Sequence, residues 1–230
     1  MEKAYQASLL IRVGSLLIVL ENLWYLYIEF IFMSRDLNDK QILNYFKMIW
    51  YGVLILDLLG FGGIGVGMIL KSQILNSSER YLQGGFALLI WVVFSFLWRF
   101  ILVGNVLTRS SSVDEFFQKL QTALVFIIMA SVVMSGGFLL LKSTKQVATD
   151  WLFNFSLLNL VGSVLLWKYF TGFDTQTLSS NSLDVRNTIY ALTLKSIIIP
   201  LAAIVVFANL ALSEKIDPSE LPSETSTYTY

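Results

Sequence analysis

Residues 48–70 read MIWYGVLILDLLGFGGIGVGMIL, and Asp57 is the one charged side chain among these 23 positions. An α-helix rises about 1.5 Å per residue, so a stretch of this length covers the roughly 30 Å hydrocarbon core of a bilayer. Five further stretches are similarly apolar, at residues 9–33, 84–106, 120–141, 151–170 and 189–212. The sequence therefore predicts an all-α, polytopic membrane protein with six transmembrane helices.

The composition of the whole chain agrees with this prediction. Its 230 residues are 56% hydrophobic and 14% charged, and the mean hydropathy is +0.68. In a soluble domain roughly a quarter of the residues are charged, and they cover much of the surface. The charges here are too few to cover a water-facing surface, so the apolar excess indicates a bilayer as the solvent.

Polar segments connect the six stretches, with turn formers and charges concentrated in them. Because these segments are short, we interpret them as loops and expect the helices to form three tandem hairpins. The chain then divides into a six-helix transmembrane domain, residues 1–213, and a polar C-terminal tail, residues 214–230. The tail combines acids, prolines, serines and threonines, a composition that cannot build a core of its own.

Two of the apolar stretches resemble each other. Residues 86–100 (FALLIWVVFSFLWRF) align without gaps with residues 155–169 (FSLLNLVGSVLLWKY) and share Phe, two Leu, Val and the later Leu-Trp pair. Either an internal repeat of hairpins or the biased composition of membrane helices explains such a match. A comparison of the corresponding helices in the fold separates the two explanations.

Six crossings place both termini on the same side of the membrane. Lys and Arg are divided almost evenly between the two sides, so the positive-inside rule decides little. On average the second and fourth loops are shorter and less acidic than the other three. We therefore predict that the two termini are cytoplasmic, together with those two loops.

The chain contains no histidine and no cysteine, and this restricts its chemistry more than any motif does. Imidazole and thiolate ligands for metals are excluded, as is nucleophilic catalysis of the Ser-His or Cys-His type. The carboxylates form no paired motif, so we predict that the protein is not an enzyme. No metal and no cofactor is expected, although a lipid or a quinone fits a groove between membrane helices. The 16 acidic and 16 basic residues leave no net charge to attract nucleic acid.

Ionisable residues interrupt the predicted spans: Glu29 and Lys168 are expected to reach the membrane interface, whereas Glu21, Asp57, Arg99 and Lys195 form a candidate cluster deeper inside. Each costs about 2.5 kcal/mol or more near the bilayer centre on insertion scales, so each needs a partner or access to water. Counted from the side of the first, third and fifth loops, the four lie in the same half of the membrane. One interpretation is a polar pocket or ion path, and the other, which we favour, is a set of salt bridges that clamp helices together.

Glycines mark two further helix faces. Gly60, Gly63 and Gly67 are on the second span, and Gly136 and Gly137 are on the fourth. Because glycine lets helix backbones approach closely, we predict that these faces pack within the subunit or against a neighbour. A conduction path lined by glycines is the alternative.

Pro200 interrupts the sixth span within the sequence KSIIIPLAA. Proline lacks the amide N–H and its ring clashes with the preceding turn, so a kink is predicted here. A kink beside Lys195 suits gating, but such bends more often only fit a helix to its neighbours.

These features favour a non-catalytic accessory or structural subunit of a larger membrane protein complex. The glycine faces and the mutually neutralising charges support this function, and a polar tail becomes ordered only against another surface. The predicted partners are membrane lipids and other membrane protein subunits. The alternative is a small transporter or channel that uses the intramembrane charged cluster.

Overall fold

A computed structural model of the chain describes residues 2–33, 39–74, 78–102, 113–142, 147–170, 190–191 and 193–214. The regular structure in these residues is all helical, so the predicted all-α class is confirmed. A π-helical turn over Leu194–Ile198 leads directly into the last helix. The helices are α1 (Glu2–Met33), α2 (Asp39–Ser72), α3 (Ser78–Leu102), α4 (Val113–Lys142), α5 (Val147–Phe170) and α6 (Ile199–Ser213).

Long apolar helices indicate a membrane-embedded protein. Two shorter apolar stretches, Tyr81–Leu97 and Leu124–Leu139, lie in α3 and α4 within the described part of the chain. Large apolar side chains also face outward on every helix, as expected where lipid is the solvent. Four stretches are long and apolar enough to cross a bilayer, Lys3–Phe30, Tyr51–Ser72, Trp151–Lys168 and Leu194–Ser213.

The helices extend past the predicted apolar stretches, which corrects the predicted loops. α2 begins at Asp39 and α4 at Val113, where the sequence pattern predicted loops up to residues 47 and 119. The 34 residues of α2 rise about 51 Å, more than the roughly 30 Å of a hydrocarbon core. The backbone remains helical where the side chains turn polar, so hydropathy alone does not locate a helix end.

The six helices form a closed ring. Each helix packs against the next one along the chain, and α6 together with its π turn packs against both α5 and α1. Contacts at two heights show that neighbouring helices run antiparallel. For α1 and α2 these are Gly14 with Gly60 and Ile11 with Gly67, and for α2 and α3 they are Gly65 with Gly85 and Asp57 with Ser95. For α5 and α6 they are Gly162 with Ile199 and Phe155 with Phe207.

The predicted glycine face of α2 packs against α1. At Gly60, Gly63 and Gly67, the atoms nearest to an added Cβ all belong to α1. A Cβ at Gly60 would lie 2.5 Å from the side chain of Ile18, and one at Gly67 would lie 2.7 Å from Ile11. At Gly67 the backbone oxygen of Ala7 would also lie 2.9 Å from the added Cβ and cannot turn aside as a side chain can, so a small residue is needed for this approach of the two helices.

The two glycines of α4 have different surroundings. A Cβ on Gly137 would overlap the Cβ of Ala87, so this position packs against α3. Gly136 is exposed, and a Cβ there would meet nothing within 4 Å among the described residues. Gly136 therefore makes no close helix contact within the described part of the subunit.

The proposed internal repeat does not match the burial of the two helices. The alignment pairs Phe155 with Phe86, yet Phe155 is 7% exposed and Phe86 is 52% exposed. It also pairs buried Asn159 with exposed Ile90. The inward face of α5 therefore corresponds to the outward face of α3, and the biased composition of membrane helices is the better explanation of the match.

Candidate functional site

A hydrogen-bonded polar group connects three elements inside the ring. The Lys195 ammonium, on the π turn, donates to Asn159 Oδ1 at 2.5 Å and to Ser163 Oγ at 3.0 Å on α5. Asn159 Nδ2 donates in turn to Ser131 Oγ on α4 at 3.2 Å. Asn159, Ser163 and Ser131 are buried and Lys195 is partly buried, so this polar group lies within an apolar bundle.

A second polar group connects α2 and α3. The Ser95 hydroxyl donates to Asp57 Oδ2 at 2.5 Å, and both residues are buried. A hydrogen bond from a hydroxyl to a carboxylate is stronger than one between two neutral groups. The aspartate predicted from the sequence therefore has a specific partner on the neighbouring helix.

Four aromatic rings fill the interior next to these polar groups. Phe61 meets Phe207 across the ring of helices with 5.4 Å between centroids, and Phe207 meets Phe155 at 5.5 Å. Trp91 lies against Phe61 at 5.9 Å, and all of these contacts are edge-on, which suits the ring quadrupoles. We call Phe61, Trp91, Phe155 and Phe207 the aromatic layer.

The polar groups all lie on the same side of the aromatic layer. On α2, Asp57 is one turn before Phe61, whereas on α5, Asn159 is one turn after Phe155. Because α2 and α5 run in opposite directions, both steps lead toward the same end of the bundle. Ser95 follows Trp91 on α3 in the same sense.

The four predicted charges are placed as follows. Glu21 is buried on α1, three residues beyond Ile18, which contacts Gly60, so Glu21 lies at the height of Asp57. Arg99 lies on α3, one turn beyond Ser95, and its side chain is outside the described residues. Asp57 and Lys195 have the partners given above. We call Glu21, Asp57, Ser95, Ser131, Asn159, Ser163 and Lys195 the polar interior.

Sequence reasoning missed the neutral members of the polar interior. Charged residues stand out in an apolar stretch, but serine is common in membrane helices and often bonds to its own backbone. Ser131 Oγ donates to the Ile127 carbonyl and Ser163 Oγ to the Asn159 carbonyl, four residues earlier in each case. The available signal was the spacing of Asn159 and Ser163, which puts two polar side chains on one face of α5.

The predicted kink at Pro200 coincides with the π turn. The Ile199 amide donates to the Leu194 carbonyl, five residues earlier, and buried Pro200 follows directly. Proline cannot donate to the preceding turn, and a π turn is one way in which a helix absorbs the mismatch. Lys195 is part of this turn, so its backbone lies in the least regular segment of the last helix.

A separate ionic cluster lies at the opposite end of the bundle. Lys71, at the end of α2, is 1% exposed and forms a 2.9 Å salt bridge with Glu214 Oε1. Its ammonium also lies 5.1 Å from the centre of the Tyr81 ring. Arg12 on α1 donates to the Glu214 backbone carbonyl through both Nε and Nη2, at 3.0 and 2.5 Å. We call Arg12, Lys71 and Glu214 the terminal clamp.

The terminal clamp corrects two predictions. Lys71 was expected in a polar loop, but α2 continues to Ser72 and the side chain is buried. Glu214 was counted with the solvated tail, yet it is buried against α1 and α2. The remainder of the tail, residues 215–230, lies outside the described residues.

The other end of the last helix is also bonded to α1. Ser196 on the π turn forms a hydrogen bond with Glu29, and the Tyr25 hydroxyl donates one to Ser196 Oγ at 3.5 Å. The first helix therefore holds the last one both here and at the terminal clamp. These contacts close the ring, because they join the first helix of the chain to the last one.

Other candidate chemistry is limited. Among the described residues, no group of three or more carboxylate side chains is placed to hold a metal ion. Comparisons with protein-family models, with curated proteins and with solved structures found no match for this chain. The polar interior, the aromatic layer and the terminal clamp are therefore the features of the fold that bear on its function.

Proposed function

We propose that this protein is a small membrane transporter or channel whose cargo passes through the centre of the helix ring. The observation that supports this proposal is the polar interior, a set of charged and hydrogen-bonding side chains that are buried except for the partly buried Lys195. Ionisable groups within membrane helices are costly, and they most often mark substrate or ion pathways. We place the cargo site among Asp57, Asn159 and Lys195, which lie on three different elements.

Helix packing does not require the polar interior. Glycine contacts already join α1 to α2 at Gly60 and Gly67, and the terminal clamp joins α6 to α1 and α2. A polar group that only holds helices together is easily replaced by apolar side chains of similar volume. The polar interior therefore favours a role in transport over the helix-joining salt bridges that the sequence analysis favoured.

The π turn and the aromatic layer support a gated pathway. A π turn next to a proline is a weak point in a helix, and here it includes Lys195, whose ammonium donates to Asn159 and Ser163. The aromatic layer closes the polar interior on one side, as an occluded transporter requires. Movement of the last helix would change both the position of the cation and the packing of Phe207.

Reconstituted flux tests this proposal. Purified protein in proteoliposomes is assayed with a proton-sensitive dye and with dyes for Na⁺, K⁺ and Cl⁻. Lys195→Met should abolish the flux seen with wild type, because it removes the cation of the polar interior while keeping the side-chain volume. Lys168→Met is the matched control, since Lys168 is exposed on α5 and should retain flux. Equal flux in Lys195→Met and wild type, or no flux of any of these ions in wild type, would contradict the proposal.

A second candidate function is the accessory subunit of a larger membrane complex, favoured by the exposed Gly136. An exposed glycine on a membrane helix gives a neighbouring helix a site for close approach. The test is native purification with mass spectrometry. A stoichiometric partner that is lost in Gly136→Trp, but kept in Gly62→Trp at a second open glycine, would support this function. A wild-type protein that purifies alone would count against it.

We also propose that both termini are on the cytoplasmic side. The bond from Arg12 to Glu214 supports a shared side, because it joins the beginning of α1 to the end of α6. The cytoplasmic assignment rests on the loops, as argued from the sequence.

A further inference from the structure

Two buried polar atoms near the aromatic layer have no hydrogen-bond partner among the described residues. They are the indole nitrogen of Trp91 on α3 and the hydroxyl oxygen of Ser135 on α4. Each residue is 7% exposed. Buried polar atoms in proteins nearly always have a partner, and where the protein supplies none, an internal water commonly does.

Helix contacts place these two residues within about one helical turn of the same height in the bundle. On α4, Gly137 lies against Ala87 of α3. Six residues earlier, Ser131 accepts from Asn159, which is at the height of Ser95. α4 therefore runs antiparallel to α3. On this scale Ser135 lies opposite residues 89–90 of α3, within about one turn of Trp91.

The surroundings of the two atoms suit a small polar ligand. Trp91 donates only, whereas the serine hydroxyl both donates and accepts. A water molecule accepts from the indole N–H and donates to the hydroxyl oxygen, so one molecule satisfies both atoms. Ser95 lies one turn beyond Trp91 on α3 and is bonded to Asp57, so such a water has polar side chains of the polar interior on one side.

We infer that Trp91 and Ser135 bind an internal water within the aromatic layer. The water site is inferred from these two atoms and does not depend on the transport function. If the protein is a transporter, the water site also indicates what its cargo is. A water held between hydrogen-bonding groups passes a proton along those hydrogen bonds, so we infer a proton as the cargo. The proton as cargo rests on the proposed function, and the water site does not.

Hydroxyl-radical footprinting of the whole protein in nanodiscs tests the water site. Radicals generated from internal water oxidise the side chains beside it, and mass spectrometry locates the product. After correction for intrinsic reactivity, the extent of oxidation at Trp91 should be well above that at Phe138, an apolar residue of α4 that is 1% exposed. Oxidation of Trp91 no greater than that of Phe138 would overturn the inference, and this comparison needs no variant.

Ser135→Ala provides the second measurement. Loss of one water partner should lower Trp91 oxidation by about twofold or more. Ser15→Ala is the control, because Ser15 is a fully buried serine that bonds to the Ile11 carbonyl and lies on another helix. Unchanged Trp91 oxidation in a folded Ser135→Ala protein would contradict the site. Strong Trp91 oxidation without any proton flux would support the water site and overturn the proton as cargo.

Discussion

Lys71 shows how a residue can be assigned to the wrong environment by its type. A lysine between an apolar stretch and a polar segment is expected to reach water, but here it is fully buried in the terminal clamp. Its partner, Glu214, is 143 residues away, so no local pattern connects the two. The sequence did locate the intramembrane residues Glu21 and Asp57, which are buried. It could not supply their partners, because partners depend on which helices become neighbours.

The terminal clamp gives a prediction at this scale. Glu214→Gln should lower the free energy of unfolding by about 3 kcal/mol, because it leaves the buried Lys71 ammonium without its counterion. Adding Lys71→Met to Glu214→Gln should restore much of this loss, since no unpaired charge then remains. Reversible unfolding in mixed micelles measures both. The single variant Lys168→Met should change little. Additive losses in the double variant would show that the pair is not coupled.

The helix elements were predictable in number and in their apolar centres, but not in their ends. Hydropathy reports where side chains become polar, whereas the backbone of α2 and α4 stays helical beyond that point. The sequence did not predict the π turn itself. Pro200 predicted an irregularity, but whether the helix forms a kink or a π turn there depends on the packing around Ile199 and Pro200.

Two glycines give opposite predictions at the scale of helix packing. Gly67→Ala should destabilise the protein by roughly 1–3 kcal/mol, because the added Cβ overlaps Ile11 on α1. Gly136→Ala should stabilise it by about 0.5–1 kcal/mol, because alanine favours the helix and meets no neighbour in the described subunit. Unfolding in mixed micelles measures the two signs. The same sign for both variants would refute the packing assigned to α1 and α2.

The closed ring belongs to the whole molecule and could not be predicted from the sequence. Hairpins follow from short connections, but the contact between the first and last helices depends on Arg12, Tyr25 and Glu29 meeting residues far along the chain. The apparent repeat pointed to equivalent hairpins, and the burial of Phe86 and Phe155 shows why it misled. Sequence similarity between two membrane helices reflects their shared apolar composition more than a shared inward-facing side.

The position of the termini is a prediction at the scale of the whole molecule. The natural chain has no cysteine, so single-cysteine variants give labelling without background. Lys3→Cys and Ser223→Cys should react with a membrane-impermeant maleimide from the same side, the cytoplasmic one, and Ser111→Cys from the other. Labelling of Lys3→Cys and Ser223→Cys from opposite sides would rule out an even number of crossings.

Water and small reagents should reach the polar interior from one side of the membrane, and the aromatic layer should stop reagents that come from the other side. Ser163→Cys and Ser15→Cys form a matched pair, since both serines are fully buried and bond to a carbonyl of their own helix. Only Ser163 belongs to the polar interior. The direct measurement is modification of each variant by a small methanethiosulfonate reagent added to either side of oriented vesicles.

We predict that Ser163→Cys is modified from one side, that of the α3 carboxyl end, and that Ser15→Cys is modified from neither. Protection of Ser163→Cys from both sides, or equal reactivity of Ser15→Cys, would contradict a one-sided polar pathway through the ring.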